Sequence, residues 1–286
     1  MVRKTTNLEW YGSYLRTQVD KGRLPQTDLD VLEAANAEHY AALALLREQL
    51  GALKFNWTEV QREEEWPQHQ GFDVVITVGG DGTLLAASHH LGEGPLVVGI
   101  RSSGTSVGHL CAGGSNEIRS IVQNLAERRS RVRRVSRLVA EITRVSGESE
   151  VLRTCPVLND FLFTNVNPAA TTRYRLRLGD RVEEQKSSGI WISTATGSTA
   201  AIQAAGGHPQ KPEDRCFQYA VRELFRIGTP SPQLSRGLFD PDQLDLEIEN
   251  RSEHAMLALD GQHGHVALGL ADRIVFKRGP DLQIVF

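Results

Sequence analysis

Residues 72–88 read FDVVITVGGDGTLLAAS, a glycine-rich loop between two apolar stretches. The run at residues 72–78 is nearly all apolar, as in a strand buried on both faces of a parallel sheet. Residues 84–88 can begin a helix directly after the loop. Strand, loop and helix in this order predict an open α/β sheet. The loop itself consists of Gly79, Gly80, Asp81, Gly82 and Thr83.

Segments on both sides of the loop extend this pattern. Apolar residues recur at three- and four-residue steps over residues 27–50, which predicts a helix with Thr27 as its N-cap and Gly51 as its stop. Residues 96–100 predict the next buried strand, and residues 115–129 another helix. Before residue 27 only residues 2–5 could form a first strand, so that strand is very short or begins outside the chain.

The pattern changes near residue 132, where short stretches of period-two alternation begin. Residues 173–178 alternate basic and apolar side chains, and a Gly-Asp turn follows them. We therefore expect a Rossmann-like α/β domain over residues 1–130 and a β-rich, β-sandwich-like domain over residues 131–280. The last strand, residues 281–286, is a candidate to return to the first domain.

Composition excludes several classes of protein. The chain has 286 residues, 40% hydrophobic and 23% charged, with a formal net charge of -3. Nucleic-acid-binding domains usually carry a clear basic excess, so we expect no nucleic-acid partner. No apolar run is long enough to span a membrane, and we expect no membrane partner. The 3 cysteines match no metal or redox spacing, which indicates buried thiols in a reducing compartment and a cytoplasmic protein.

The glycine loop is suited to binding phosphate. Glycines let the backbone approach a phosphate without interference from a Cβ atom, and the N–H groups at a helix N-terminus carry partial positive charge. Asp81 would repel phosphate, so it indicates proton acceptance from an attacking hydroxyl or a contact to a magnesium ion. The alternative is a tight turn in which Asp81 caps the helix.

Two later segments carry polar side chains that suit a nucleotide. Residues 187–207 contain Thr196, Ser198 and Thr199, whose hydroxyls offer adaptable hydrogen bonds among small residues. Alternatively, Ser198 or Thr199 caps an alanine-rich helix near residues 199–205. Asn159 and Asp160 could bind the two hydroxyls of a ribose, although such a dipeptide is more often a turn.

Four motifs resemble those of NAD kinases and occur in the same order. They are GGDGT at residues 79–83, Asn159-Asp160, the run at residues 194–200, and Asp260-Gly261-Gln262. The resemblance covers nearly the whole chain. Residues 3–5, 108–111 and 197–201 look most like the plant NADH-kinase branch.

The resemblance implies an NAD(H) kinase that phosphorylates the 2′-hydroxyl of the adenosine ribose, and it assigns roles residue by residue. Asp81 matches the proton acceptor from that hydroxyl, with Gly82 beside it. Asn159 and Asp160 match a pair that contacts the nucleotide. The segment lining the adenosine portion matches Thr199, Ala200, Ala201 and Ala204. Gln262 matches a further nucleotide contact, and Asp260 lies close by.

The resemblance also implies cofactors and assembly. ATP or polyphosphate is the expected phosphoryl donor, with Mg²⁺ or another divalent cation held through the substrate phosphates rather than by a protein metal site. A homodimer or homotetramer is expected, because sites in this family are commonly completed across subunit contacts.

The chain departs from the family pattern near the expected substrate. Ala195 stands where the family usually has Pro, Ala201 where it has Tyr, and Ser188 where it has Asp. The substitutions remove an aromatic surface and a carboxylate from the pocket. Because NAD carries a positive nicotinamide ring and NADH does not, we hypothesise that NADH is accepted well.

Two other functions are compatible with parts of the sequence. GGDGT also occurs in lipid kinases of the diacylglycerol and sphingosine type, but no amphipathic stretch suggests a membrane-facing surface. A non-catalytic dinucleotide-binding module would explain Ser188 and Ala201 as marks of a degraded site. The presence of Asp81 argues against that module.

Overall fold

The computed structural model describes residues 1–64, 66, 71–145, 151–225 and 232–286. It divides into two compact units, one formed by Met1–Arg133 with Gln283–Phe286 and the other by Arg134–Leu282. Among the described residues, no helix is both long and apolar enough to cross a membrane.

The first unit is built on a mainly parallel sheet. Its strands are β1 (Val2–Arg3), β2 (Val60–Gln61), β3 (Val74–Gly79), β4 (Leu96–Arg101), β5 (Gly113–Gly114), β6 (Val132–Val135) and β19 (Leu282–Val285). The order is β2-β1-β3-β4-β19-β6, and β5 pairs with β4 off this path. The pairs β1–β2, β1–β3, β3–β4, β4–β5 and β4–β19 are all parallel. The chain therefore returns to this sheet through β19, its last strand.

Four helices accompany the sheet. They are α1 (Asn7–Asp20), α2 (Gln26–Ala52), α3 (Asp81–Ser88) and α4 (Ile118–Ala126), the last preceded by a 3-10 turn at Ser115–Glu117. The apolar stripe of α2 packs in one cluster with side chains of β3 and β4, among them Leu43, Leu46, Ile76 and Val98. Burial of this stripe is what holds the long helix against the sheet.

The ends of the first helices differ from the sequence-based expectation. The predicted cap of α2 at Thr27 is wrong, because the helix begins after Pro25 without a side-chain cap. Helix α1 was not predicted at all, although Thr6 and Glu9 form a reciprocal capping box at its start. The first strand has only two residues, which agrees with the short-strand alternative.

The second unit contains two six-stranded antiparallel sheets. One has the order β11-β10-β15-β18-β7-β8 and the other β14-β13-β12-β9-β16-β17. The strands are β7 (Leu138–Thr143), β8 (Val151–Arg153), β9 (Asp160–Asn165), β10 (Thr172–Leu178), β11 (Arg181–Ser187), β12 (Gly189–Ser193), β13 (Phe217–Arg222), β14 (Arg236–Phe239), β15 (Leu246–Asn250), β16 (Ala255–Leu259), β17 (Gly264–Leu268) and β18 (Arg273–Arg278). A 3-10 turn at Thr196–Thr199 and the short helix α5 (Ala201–Ala204) interrupt them.

Both sheets contribute side chains to one core. Phe161, Phe163 and Ile190 come from one sheet, and Tyr174 and Phe276 from the other, and all five are fully buried. Two sheets sharing a core of this kind form a β-sandwich. The predicted fold class, an α/β domain followed by a β-rich domain, is confirmed.

Candidate functional site

The glycine loop lies where β3 ends and α3 begins. Gly79 is the last residue of β3, Gly80 precedes α3 as its N-cap, and Asp81 is the first helical residue. The alternative in which Asp81 caps the helix is therefore wrong. Gly80 has φ -129° and ψ -166°, a conformation open to any residue. Its glycine is needed because a Cβ there would lie 2.6 Å from the carbonyl oxygen of Val107.

The Asp81 carboxylate is held by backbone N–H groups from a later segment. The N–H of His109 donates to Oδ2 at 3.0 Å, and the N–H of Leu110 donates to Oδ1 at 2.8 Å. The Asp81 N–H in turn donates to the Val107 carbonyl at 3.0 Å. The bonds from His109 and Leu110 fix the orientation of a half-buried carboxylate at the N-terminus of α3, and the bond to Val107 fixes the Asp81 backbone. Each carboxylate oxygen keeps lone-pair capacity for another donor.

The negative charge of Asp81 affects its neighbour Cys111. Burial, together with the charge of Asp81, raises the pKa of the Cys111 thiol to about 12. Cys111 therefore stays protonated at neutral pH, so it is not a nucleophile.

The sequence did not indicate that residues 106–110 contact the glycine loop. Ser106 and Val107 pack against Gly80, and His109 and Leu110 bind Asp81 through the backbone. Backbone donors leave little trace in side-chain identity. The one available signal was the resemblance of residues 108–111 to the plant NADH-kinase branch.

In the second unit, Asp260 holds the Asn159-Asp160 segment. Its carboxylate accepts the N–H groups of Leu158 at 3.0 Å, Asn159 at 2.7 Å and Asp160 at 3.1 Å. The Asp260 N–H donates back to the Asp160 carbonyl at 2.9 Å. Asp260 has a positive φ of 45° in the turn between β16 and β17. Aspartate tolerates this conformation better than most residues, so the turn can direct its carboxylate at the segment.

The side chain of Asp160 is a second carboxylate, close to that of Asp260. It is 4% exposed, and burial, together with the charge of Asp260, raises its pKa from 3.8 to about 7. Within the described ranges, no hydrogen bond or ion pair from another side chain reaches the Asp160 carboxylate. A buried carboxylate without a partner is costly and marks a candidate ligand contact.

The segment at residues 194–199 packs directly on Asn159. The Thr194 hydroxyl donates to the Leu158 carbonyl at 2.5 Å and accepts the Gly197 N–H at 3.1 Å. A side chain on Gly197 would collide with the backbone of Asn159, so only glycine fits there. Asn159, Asp160, Asp260 and the start of the hydroxyl-rich segment are thereby brought together in one place.

The hydroxyls of this segment divide into two kinds. Ser198 Oγ accepts the Gln210 N–H at 2.8 Å and is committed to the protein. The Thr196 hydroxyl is buried and has no hydrogen-bond partner in the part of the chain that the structure describes. The helix-cap alternative for Ser198 and Thr199 is wrong, because Ala200 precedes α5 and no side chain caps it. Thr196 is therefore a stronger candidate for a ligand contact than Ser198.

The remaining predicted residues lie at the surface or away from this cluster. Thr199, Ala201, Ala204 and Gln262 are exposed, and Ala200 is half-buried. Ser188 lies before β12, whereas Thr194 lies after it, so the strand Gly189–Ser193 separates them. That strand spans about 16 Å at about 3.3 Å per residue. Within one chain, Ser188 is therefore not beside Asp160.

Comparison with known proteins gives consistent matches. The model of the ATP-NAD kinase N-terminal domain matches residues 24–141. A probable NADH kinase of Oryza sativa subsp. japonica is 30% identical over 281 residues, covering 90% of this chain and 84% of the relative. The NADH kinase of Arabidopsis thaliana is 30% identical over 275 residues, covering 90% of this chain and 86% of the relative.

Two solved structures share the fold. Yeast NADH kinase complexed with NADH has a TM-score of 0.64 at 19% identity, covering 74% of this chain and 62% of the yeast chain. An NAD kinase from Archaeoglobus fulgidus in complex with ATP has a TM-score of 0.65 at 20% identity, covering 85% of this chain and 89% of the archaeal chain.

Proposed function

This chain belongs to the NAD kinase family, and we propose that its NAD(H) kinase reaction transfers the terminal phosphoryl group of ATP to the 2′-hydroxyl of the adenosine ribose. The products are NADP or NADPH, and ADP. The observation that carries this proposal is the Asp81 carboxylate, oriented by the His109 and Leu110 N–H groups directly after the glycine loop.

Asp81 acts as the general base. As the ribose 2′-oxygen attacks the terminal phosphorus, its proton passes to a carboxylate oxygen of Asp81, and the bond to the ADP oxygen breaks. The two backbone hydrogen bonds fix the carboxylate before the substrate arrives. Little reorganisation is then needed during the reaction.

The phosphates of the donor bind at the glycine loop. Gly79, Gly80 and Gly82 keep side chains out of the loop, and the N-terminus of α3 contributes partial positive charge. The N–H groups of Asp81 and Thr83 donate to Val107 and Gly80 carbonyls, so they bind the protein rather than phosphate.

A divalent cation fits the oxygen-rich chemistry of this loop. Mg²⁺ prefers phosphate and carboxylate oxygens and is commonly bound through substrate phosphates with one or two carboxylates. Asp81 is the carboxylate available in the loop. When bound, the cation would offset the negative charge of the phosphates.

The cluster in the second unit binds the nucleoside part of NAD(H). An amide at Asn159 can donate, and a carboxylate at Asp160 can accept, hydrogen bonds with ribose hydroxyls. The Thr196 hydroxyl has no protein partner among the described residues. Asp260 positions this pair through the backbone. The exposed residues Thr199, Ala201, Ala204 and Gln262 supply the surface against which adenosine lies.

The departures at Ser188 and Ala201 bear on the preference between NAD and NADH. With no carboxylate at Ser188 and no aromatic ring at Ala201, we expect the positive nicotinamide of NAD to gain little over NADH. The kcat/KM for NADH should equal or exceed that for NAD in a direct comparison. A strong preference for NAD would contradict this. We further propose a homodimer or homotetramer in the cytoplasm.

The proposed function is tested by product formation. The purified protein is incubated with ATP, Mg²⁺ and either NAD or NADH, and NADP(H) is measured with an NADP-specific dehydrogenase. Formation of NADP(H) that depends on all three components supports the proposal. Binding of NADH without product would instead identify a non-catalytic module, and replacing ATP with polyphosphate identifies the donor.

A further inference from the structure

Lys4 lies at the same edge of the sheet as the glycine loop. It directly follows β1, which pairs in parallel with β3, and Arg3 is in register with Val78. The Lys4 N–H donates to the Val78 carbonyl at 3.3 Å. Because the carboxyl ends of parallel strands meet at one edge, Lys4 and the loop that begins at Gly79 are neighbours there.

The Lys4 ammonium group reaches the segment that packs on the loop. Its Nζ donates to the Ser106 hydroxyl at 3.3 Å. The Ser106 Cβ lies 3.2 Å from where a Cβ of Gly80 would be. One serine side chain therefore separates the ammonium group from the backbone of the phosphate loop.

No carboxylate of the described residues compensates the charge of Lys4. Its neighbour Arg3 pairs with Glu9 at 3.5 Å and with Glu59 at 3.4 Å. Within the described ranges, Ser106 is the only side chain hydrogen-bonded to the Lys4 ammonium group, and no carboxylate forms an ion pair with it. Burial lowers the pKa of Lys4, and the nearby positive charge of Arg62 lowers it further.

These surroundings favour a ligand rather than a structural role. A half-buried ammonium group without a counter-ion costs stability, because it loses hydration without gaining an ion pair. A phosphate at the adjacent loop would supply the missing negative charge. Lysine is suited to this contact because its ammonium group is a compact charge with three rotatable donors.

We propose that Lys4 binds a phosphate group of the phosphoryl donor at the glycine loop. This inference rests on the proposed kinase function and adds a donor-binding residue to it. Lys4 acts on the donor and not on the acceptor nucleotide, so its loss raises the KM for ATP and leaves the KM for NADH unchanged.

The test compares Lys4→Met with Lys4→Arg and with the control Lys21→Met, which removes an exposed lysine from the same unit. A charge-assisted contact predicts a KM for ATP about ten- to a hundred-fold higher in Lys4→Met. Lys4→Arg should recover part of the affinity, and Lys21→Met should match the wild type. The thermal midpoint of Lys4→Met should not fall, because no ion pair is lost.

Several outcomes would overturn the inference. They are an unchanged KM for ATP, an equal rise in the KM for NADH, or a lower thermal midpoint with normal ATP affinity, which identifies a structural lysine. If the wild type forms no NADP(H), the proposed function fails separately. Calorimetric titration with ATP then tests Lys4 alone, and equal affinity in the wild type and Lys4→Met overturns its assignment.

Discussion

The two units each use one aspartate to hold a distant stretch of backbone, but with different consequences. Asp81 accepts N–H groups from His109 and Leu110, and Asp260 accepts three from residues 158–160. Asp81 is half-buried at a helix N-terminus, whereas Asp260 is 5% exposed in a turn.

The proposed roles differ in which carboxylate meets the substrate. In the first unit the anchored carboxylate of Asp81 is itself the proposed general base. In the second unit Asp260 is surrounded by its own hydrogen bonds, and among the described residues no side chain hydrogen-bonds to or pairs with the neighbouring Asp160 carboxylate. Under the proposed function, the same backbone contact therefore orients a base in one unit and shapes a binding surface in the other.

The largest expected effect is on turnover through Asp81. Asp81→Asn should lower kcat at least about 100-fold, the lower end for loss of a general base. The matched control is Asp20→Asn, which changes an exposed aspartate at the end of α1 and should leave kcat unchanged. Steady-state rates at saturating ATP and NADH measure both. Near-normal turnover in Asp81→Asn would remove it from this role.

The next effect is expected on stability, because Gly197 packs closely against the backbone of Asn159. Gly197→Ala places a Cβ against the backbone of Asn159, so the free energy of unfolding should fall by roughly 1–3 kcal/mol. Gly51→Ala is the matched control, because no atom lies within 4 Å of its Cβ and it sits in α2. It should raise stability by about 0.5–1 kcal/mol. Equal urea midpoints for both variants would contradict the packing argument.

Asp260→Asn tests whether Asp260 holds residues 158–160 in place. Asparagine tolerates the positive φ but offers one acceptor oxygen instead of two, so the N–H groups of residues 158–160 lose at least one bond. We expect about 1–3 kcal/mol of lost stability and a higher KM for NADH at similar kcat. A fall in kcat with an unchanged KM would place Asp260 in the chemistry instead.

Substitution of Asp160 should raise the stability of the protein rather than lower it, and the size of the effect should depend on pH. Its pKa is raised in the folded protein from 3.8 to about 7, so its favourable contribution is present below pH 4 and is lost as the pH rises through 7. Asp160→Asn removes the buried charge and should stabilise the protein by up to about 4 kcal/mol at pH 8 but not at pH 4, because each pKa unit is worth about 1.4 kcal/mol. Thermal midpoints across this range measure it, and a pH-independent difference would contradict the prediction.

The sequence predicts the elements best where burial is continuous. The apolar run of β3 and the apolar stripe of α2 can be recognised in the sequence, because their pattern reflects surfaces that are buried in the core. Helix α1 lacks such a stripe, since Trp10, Tyr11 and Tyr14 are 55%, 57% and 62% exposed. Its capping box at Thr6 was the readable signal.

Only part of the candidate site can be predicted from the sequence, because many of its contacts are made by backbone groups. Motif order points to Asp81, Asn159 and Asp160. The anchoring bonds of Asp260 join residues about a hundred positions apart and leave no local pattern. The Asp260-Gly261 pair signals a turn, yet it does not show what the carboxylate contacts. Lys4 is likewise meaningful only once β1 is paired with β3.

Binding of NADH to Asp81→Asn and Asp160→Asn is the most direct test of the two proposed roles, catalysis by Asp81 and nucleotide binding by Asp160. NADH fluorescence titration of both variants and the wild type gives the dissociation constants without turnover. We predict wild-type affinity for Asp81→Asn and about tenfold weaker binding for Asp160→Asn, which corresponds to the loss of one good hydrogen bond. Wild-type affinity in Asp160→Asn together with weakened binding in Asp81→Asn would contradict it.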